Sequence, residues 1–179
     1  GLTGWLLHMR DEVLDSAGPM GPELTITEVE EFTVEQNVDM AVRFSGTFEA
    51  PNYITLDGDT KVLNLGADGL PEAVGTKTVP FWVGIPHSAL NGTPHGLTMF
   101  GHGLLGSGRR ATTSFNSRIG NNHDMIFFGA SLWGMSETQE NEDVGAILGD
   151  LGKFQSLGDQ LYQGMIEWVL VARAMKNRF

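Results

Sequence analysis

Leu97-Thr98-Met99-Phe100-Gly101-His102-Gly103-Leu104-Leu105-Gly106-Ser107 is the stretch on which the fold turns. The run Leu97 to Phe100 has the length and character of a short buried strand. Three glycines in the next six residues let the backbone turn sharply, and Ser107 stands where it can cap a helix. A strand that runs through a glycine turn into a helix start presents backbone N–H groups where negative charge is stabilised, as an anion or oxyanion site requires. A phosphate loop is disfavoured, because the Gly-Lys-Ser/Thr ending and the dinucleotide glycine spacing are both missing.

Working outward, Met125 to Leu132 is a second buried strand. Between the two, Ala111, Phe115 and Ile119 share one face of a predicted helix that Gly120 closes, so a parallel pair with a crossover helix is expected. The last element is a long helix opened by the capping arrangement Ser156-Leu157-Gly158-Asp159. Its predicted packing stripe is Leu157, Leu161, Met165, Trp168, Ala172 and Met175, and Arg173, Lys176 and Arg178 complement the negative end of its dipole.

Upstream the pattern is different. Leu6, Met9, Val13 and Leu14 give a short amphipathic helix over residues 3–17, stopped at Gly18-Pro19. Residues 38–48 alternate apolar and polar with period two, a strand with one wet face. Residues 24–34 are expected to form its partner, although Ile26, Val29 and Phe32 fall at spacing three, which fits either a bulge or a segment that is not a strand. Residues 51–77 read as an inserted hairpin with turns at Asp57-Gly58-Asp59 and Ala67-Asp68-Gly69, and Val79 to Ile85 is a further strand. The expectation is an α/β chain in two parts: residues 1–95, a helix plus antiparallel strands with the inserted hairpin, and residues 96–179, parallel strands with crossover helices.

The 179 residues carry 22 acidic against 11 basic side chains, a net charge of -11. That balance opposes binding to nucleic acid or to an anionic membrane surface. No cysteine is present, which removes disulfides, thiolate metal sites and a cysteine nucleophile. No apolar run reaches the roughly 18 residues of a membrane helix, and no cofactor motif is found. An acidic, glycine-rich, cysteine-free chain is compatible with a secreted protein and equally with a cytoplasmic one; a secreted or cell-envelope location, with any export signal already gone, is the expectation.

Gly101-His102-Gly103-Leu104-Leu105-Gly106 after a buried strand resembles the His-Gly oxyanion turn of the α/β-hydrolase family, notably its bacterial esterases and lipases. The element order agrees with the N-terminal half of that sheet. The resemblance implies that the Leu104 backbone N–H donates to the tetrahedral oxyanion, with Gly103 and His102 shaping the turn and His102 not acting as base. It also implies a small-molecule or lipid ester substrate. No Gly-x-Ser-x-Gly occurs in the chain. In the family the nucleophile follows one more strand after the long helix, so the nucleophile, acid and base are expected on a continuation or companion chain, and this chain alone is expected to be inactive.

Other candidates carry less. Ser131, in Gly129-Ala130-Ser131-Leu132-Trp133, imitates a nucleophile turn but has Trp133 where a glycine belongs. Asp57 and Asp59 offer too few carboxylates for a calcium loop. His8, His87, His95 and His123 show no metal spacing, and Glu137, Glu140, Glu142 and Asp143 read as a solvated acidic loop. Trp133-Gly134-Met135 either lines an acyl or aromatic pocket or packs the core. Two rival functions remain open on the sequence: a non-catalytic, β-rich secreted binding or structural module, and a small phosphate binder using the same turn.

Overall fold

The computed structural model describes residues 2–137 and 144–178. It opens with helix α1 (Leu2–Ala17), which ends where Gly18 takes a left-handed φ of 66°. Strands β1 (Thr25–Glu31) and β2 (Met40–Asn52) pair antiparallel, and a register shift between Ile26 and Glu28 decides for a bulged strand over the alternative left open at that spacing. The inserted hairpin is a separate two-stranded sheet, β3 (Ile54–Asp57) and β4 (Thr60–Leu63), joined by a turn through Gly58. Strand β5 (Gly75–Pro86) returns along β2, and both strands run longer than their period-two cores suggested.

The second part holds β6 (Gly96–Met99), helix α2 (Ser114–His123), strand β7 (Met125–Ala130), the short helix α3 (Gly145–Gly149) and the long helix α4 (Phe154–Arg178). The main sheet has the order β1-β2-β5-β7-β6. Its ladders are antiparallel except β6 with β7, which are parallel in the register Leu97↔Ile126 to Met99↔Phe128. The parallel pair joined through a crossover helix is therefore present, and the β5–β7 ladder makes one sheet of the two parts.

Alternation divides the sheet faces. Phe44, Phe48, Phe81, Val83 and Phe128 point to one side, where they meet Met9 and Val13 of α1 and Ile166 and Leu170 of α4 in a single buried cluster. Gly84 and Gly129 belong to the other face and lie against Thr112 and Ala111 of the segment leading into α2. Helices thus cover both faces of the β6–β7 end of the sheet.

Two helix expectations need correction. The helix after Ser107 is broken: a 3-10 turn, Gly108–Thr112, is followed by Thr113 in extended backbone (φ -74°, ψ 158°) before α2 starts. That break rotates the register, so Asn116, Ser117 and Gly120 face the sheet while Phe115 is 68% exposed. Gly120 does not close the helix; Asp124 does, at φ 53°. The long helix begins at Phe154, two residues before the predicted capping serine, and Ser156 instead lies inside it, buried, its Oγ accepting from Gln160. The buried face is Gln160, Gln163, Glu167, Leu170 and Ala174. Of the predicted stripe only Met175 is fully buried; Leu157, Leu161, Trp168 and Ala172 are half-buried and Met165 is exposed, so the stripe forms a flank.

Candidate functional site

The glycine turn leaves the end of β6 and is held from two sides. His102 is buried, and its ring bridges the turn to the neighbouring strand. Its Nδ1 lies 2.8 Å from the Gly103 carbonyl oxygen, which can only accept, so Nδ1 carries the proton and donates. Its Nε2 accepts from the Leu132 backbone N–H at 2.7 Å. Both ring nitrogens are therefore committed to backbone groups. Trp168 of α4 packs edge-on to that ring at 6.4 Å between centroids and donates from Nε1 to the Ala130 carbonyl. The same indole explains Gly101: a Cβ there would stand 2.8 Å from its Cη2 atom.

Within the turn, the Gly106 N–H donates to the Gly103 carbonyl at 3.0 Å, and Leu105 sits at φ 56°, a left-handed value uncommon for a leucine. Leu104 is 66% exposed, and its backbone N–H has no partner among the described residues. A Cβ built on Gly103 meets nothing within 4 Å, so open space lies over this residue. The tight glycine is Gly108, whose added Cβ would fall 2.5 Å from the Ala130 carbonyl carbon and 2.8 Å from the Ser131 nitrogen.

Ser131 follows β7, with its Oγ accepting the Gly108 N–H at 3.2 Å. No base stands beside it among the described residues, since His102 is engaged elsewhere. A serine–histidine pair does occur at the other end of the sheet. Ser88 Oγ is 2.8 Å from His95 Nε2, and His95 Nδ1 is 2.7 Å from the Thr93 carbonyl. That is nucleophile-to-base geometry. The pair nevertheless lies at the N-terminal ends of β6 and β7, and the Ser88 amide is already bonded to Asn121 Oδ1. Sequence reasoning missed it, because a seven-residue spacing across a loop carries no motif.

The remaining candidates are placed as follows. His8 faces Glu12 at 3.7 Å, and His87 Nε2 contacts the Asn37 carbonyl at 2.8 Å. Asp59 is taken by Lys153 at 2.6 Å; that hydrogen bond and charge hold its carboxyl below the usual range. Glu137 is exposed, while Glu140, Glu142 and Asp143 lie outside the described residues. Among the described residues no group of three metal-ligating side chains forms, and no helix is long and apolar enough to cross a membrane.

A cavity of about 600 Å³ opens on the wet face of the sheet beside the end of β7. Trp82 and Pro80 line it from the wet face of the sheet, together with Trp133 and with Ser107, Arg109 and Ser131 at the end nearest the glycine turn. Leu104 itself does not line it. Lys77 also lines the cavity: its Nζ stands 4.2 Å over the Trp133 ring and 3.0 Å from Oε1 of the buried Glu167, which also accepts from Gln163. Gln163 in turn ties Tyr53 N and the Pro51 carbonyl to α4. Glu167 Oε2 is buried without a partner among the described residues, and desolvation raises this carboxyl above its ordinary range against the pull of Lys77 and Gln163.

Comparison with protein-family models, curated proteins and solved structures finds no match to this chain.

Proposed function

We propose that this chain supplies the oxyanion turn and half of the sheet of a serine ester hydrolase, with the nucleophile carried outside residues 1–179. The observation that bears most weight is the placement of the crossovers. The connection from β6 to β7 passes through α2 on one face, and α4 leaves β7 on the opposite face. Parallel crossovers are right-handed in nearly all proteins, so a change of face reverses the direction of travel along the sheet. A parallel strand following α4 would therefore land on the free edge of β6. Ligands of open α/β sheets bind beyond the carboxyl ends of the strands where that reversal occurs, and the glycine turn occupies that position.

In this reading the unpartnered Leu104 N–H is one donor to the oxyanion of an acyl-transfer intermediate. One such donor contributes about 2.7–4 kcal/mol of transition-state stabilisation. His102 holds the turn through Gly103 and Leu132 and takes no proton from a nucleophile. The attacking serine enters on a strand paired with β6, from a continuation or a companion chain, and the substrate is a small-molecule or lipid ester. A secreted or envelope location belongs to the same proposal.

A serine-directed fluorophosphonate tests it. The 179-residue chain should remain unlabelled, and the assembly containing its continuation or companion should be labelled on a serine outside residues 1–179. Stoichiometric labelling within the chain, at Ser131 or Ser88, would overturn the assignment, as would an assembly that does not label at all.

A further inference from the structure

The edge of the cavity nearest the glycine turn is built from donors. Ser107 is buried, and its Oγ accepts the Arg109 N–H at 3.3 Å. Ser131 Oγ accepts the Gly108 N–H at 3.2 Å. Each hydroxyl has thus spent an acceptor site on backbone, and neither O–H finds an acceptor among the described residues. Arg109, whose guanidinium has five donors and no acceptor, lines the same edge and forms no ion pair among the described residues. A buried hydroxyl left as a donor, beside a second one and an unpaired guanidinium, is complementary to an oxyanion rather than to an apolar or cationic group.

The rest of the cavity says what carries that oxyanion. In a lining that is otherwise polar, Trp82, Pro80 and Trp133 provide the flat apolar surface suited to an aromatic or similarly planar body, while Lys77, over one face of Trp133, is engaged by Glu167 and Arg43 by Glu30. The acids of the cavity do not neutralise this edge equally: Glu30 is bound to Arg43 across the β1–β2 ladder, Glu28 lies on the distant strand β1, and only Glu137 shares the rim with Arg109. We infer that this cavity binds a carboxylate attached to a planar apolar body, the carboxylate on Ser107, Ser131 and Arg109 and the body on Trp82 and Trp133. That the ester substrate bears such a free carboxylate rests on the hydrolase reading; the binding site itself does not.

The probe is 2-naphthoate, titrated into the 179-residue chain by calorimetry and by tryptophan fluorescence, with 2-naphthamide as its uncharged match. Naphthoate should bind at least about tenfold more tightly than the amide. Arg109→Gln should bring the two within about twofold while leaving the amide unchanged, and Glu137→Gln should strengthen naphthoate alone. Both side chains are exposed, so neither variant challenges folding. Equal binding of acid and amide, a ratio unmoved by Arg109→Gln, or no binding of either probe overturns the inference. Since no ester and no nucleophile are involved, any of those results leaves the fluorophosphonate experiment to judge the hydrolase reading separately.

Discussion

Replacing Lys77 by methionine keeps an unbranched stem over Trp133 and removes only the charge. Its partner Glu167 has 0% of its side chain exposed, and Gln163 would be left as its sole hydrogen-bond donor. Breaking a buried pair from one side costs about 3–5 kcal/mol, because an uncompensated charge stays behind. Lys77 is 26% exposed, so water reaches part of the site and the lower end of that range is expected at pH 8. Burial already raises the Glu167 carboxyl above its unfolded value. An acid with a raised folded pKa takes up its proton more readily in the native state, so the native state gains relative to the unfolded one as pH falls through the folded value. Loss of Lys77 raises that pKa further. The penalty should accordingly shrink to less than about half between pH 8 and pH 5, as Glu167 becomes neutral. Urea unfolding of the wild type, K77M, E167Q and the double variant at both pH values measures this. The double variant should recover most of the loss and lack the pH dependence that separates K77M from wild type. Equal losses at pH 5 and pH 8, with no recovery in the double variant, would refute the assignment of the cost to an unpaired buried carboxylate.

Gly108→Ala should destabilise by about 1–3 kcal/mol, since its Cβ collides with the Ala130–Ser131 backbone, whereas Gly103→Ala, entering open space, should stay within about 0.5 kcal/mol of wild type by thermal or urea unfolding. Leu105→Gly should be neutral or stabilising by up to about 1 kcal/mol despite the lost side chain, because it relieves the left-handed φ of 56° in the same turn; a clear loss of stability in the urea midpoint would show that the Leu105 side chain, and not its backbone, is what the turn uses.

Much of the β-structure was legible because one face is wet. Arg43, Ser45 and Thr47 alternate with Phe44, Gly46 and Phe48, and the β2–β5 ladder keeps that alternation from Phe44↔Val83 to Phe48↔Val79, while the register shifts at Ile26/Glu28 on β1 and at Met40/Val42 on β2. The parallel pair was legible from two short apolar runs at crossover spacing. Helix faces were less so. Thr113 breaks the segment after Ser107 by adopting extended backbone, which its β-branched side chain favours, yet the identical residue Thr112 stays in the preceding 3-10 turn, so residue type does not mark the break, and the register of α2 shifts with it. On α4, periodicity assigns Gln160, Gln163 and Glu167 to water, yet they are buried, because Ser156, Tyr53, Pro51 and Lys77 supply their hydrogen bonds from outside the periodic pattern. Hydrophobic patterning registers apolar burial and is blind to partnered polar burial. The same limit applies to the site: the glycine turn can be read from its residues, but the Leu132 amide and the Trp168 indole that hold it come from 30 and 66 positions further along the chain.

The apolar stripe on α4 bears on more than a misassigned face. Leu161, Met165, Trp168 and Ala172 recur at helical spacing, which a helix facing water has no reason to maintain. The core beneath α4 is meanwhile filled by a different face, through Ile166, Leu170, Val171 and Ala174. A helix with two such faces is suited to lie between two packed surfaces, only one of which the described residues provide. Trp168 fixes where the second would be, because it rests on Gly101 at the end of β6, the strand whose outer edge is unpaired among the described residues. On that strand Leu97 and Met99 remain 40% and 37% exposed. Large apolar side chains forfeit about 1.5–3 kcal/mol each when left in water, and an open, apolar strand edge invites pairing. A strand added beside β6 would cover both the edge and the stripe and would bring its own carboxyl end next to the Leu104 N–H, which is the geometry the proposed ester hydrolysis needs.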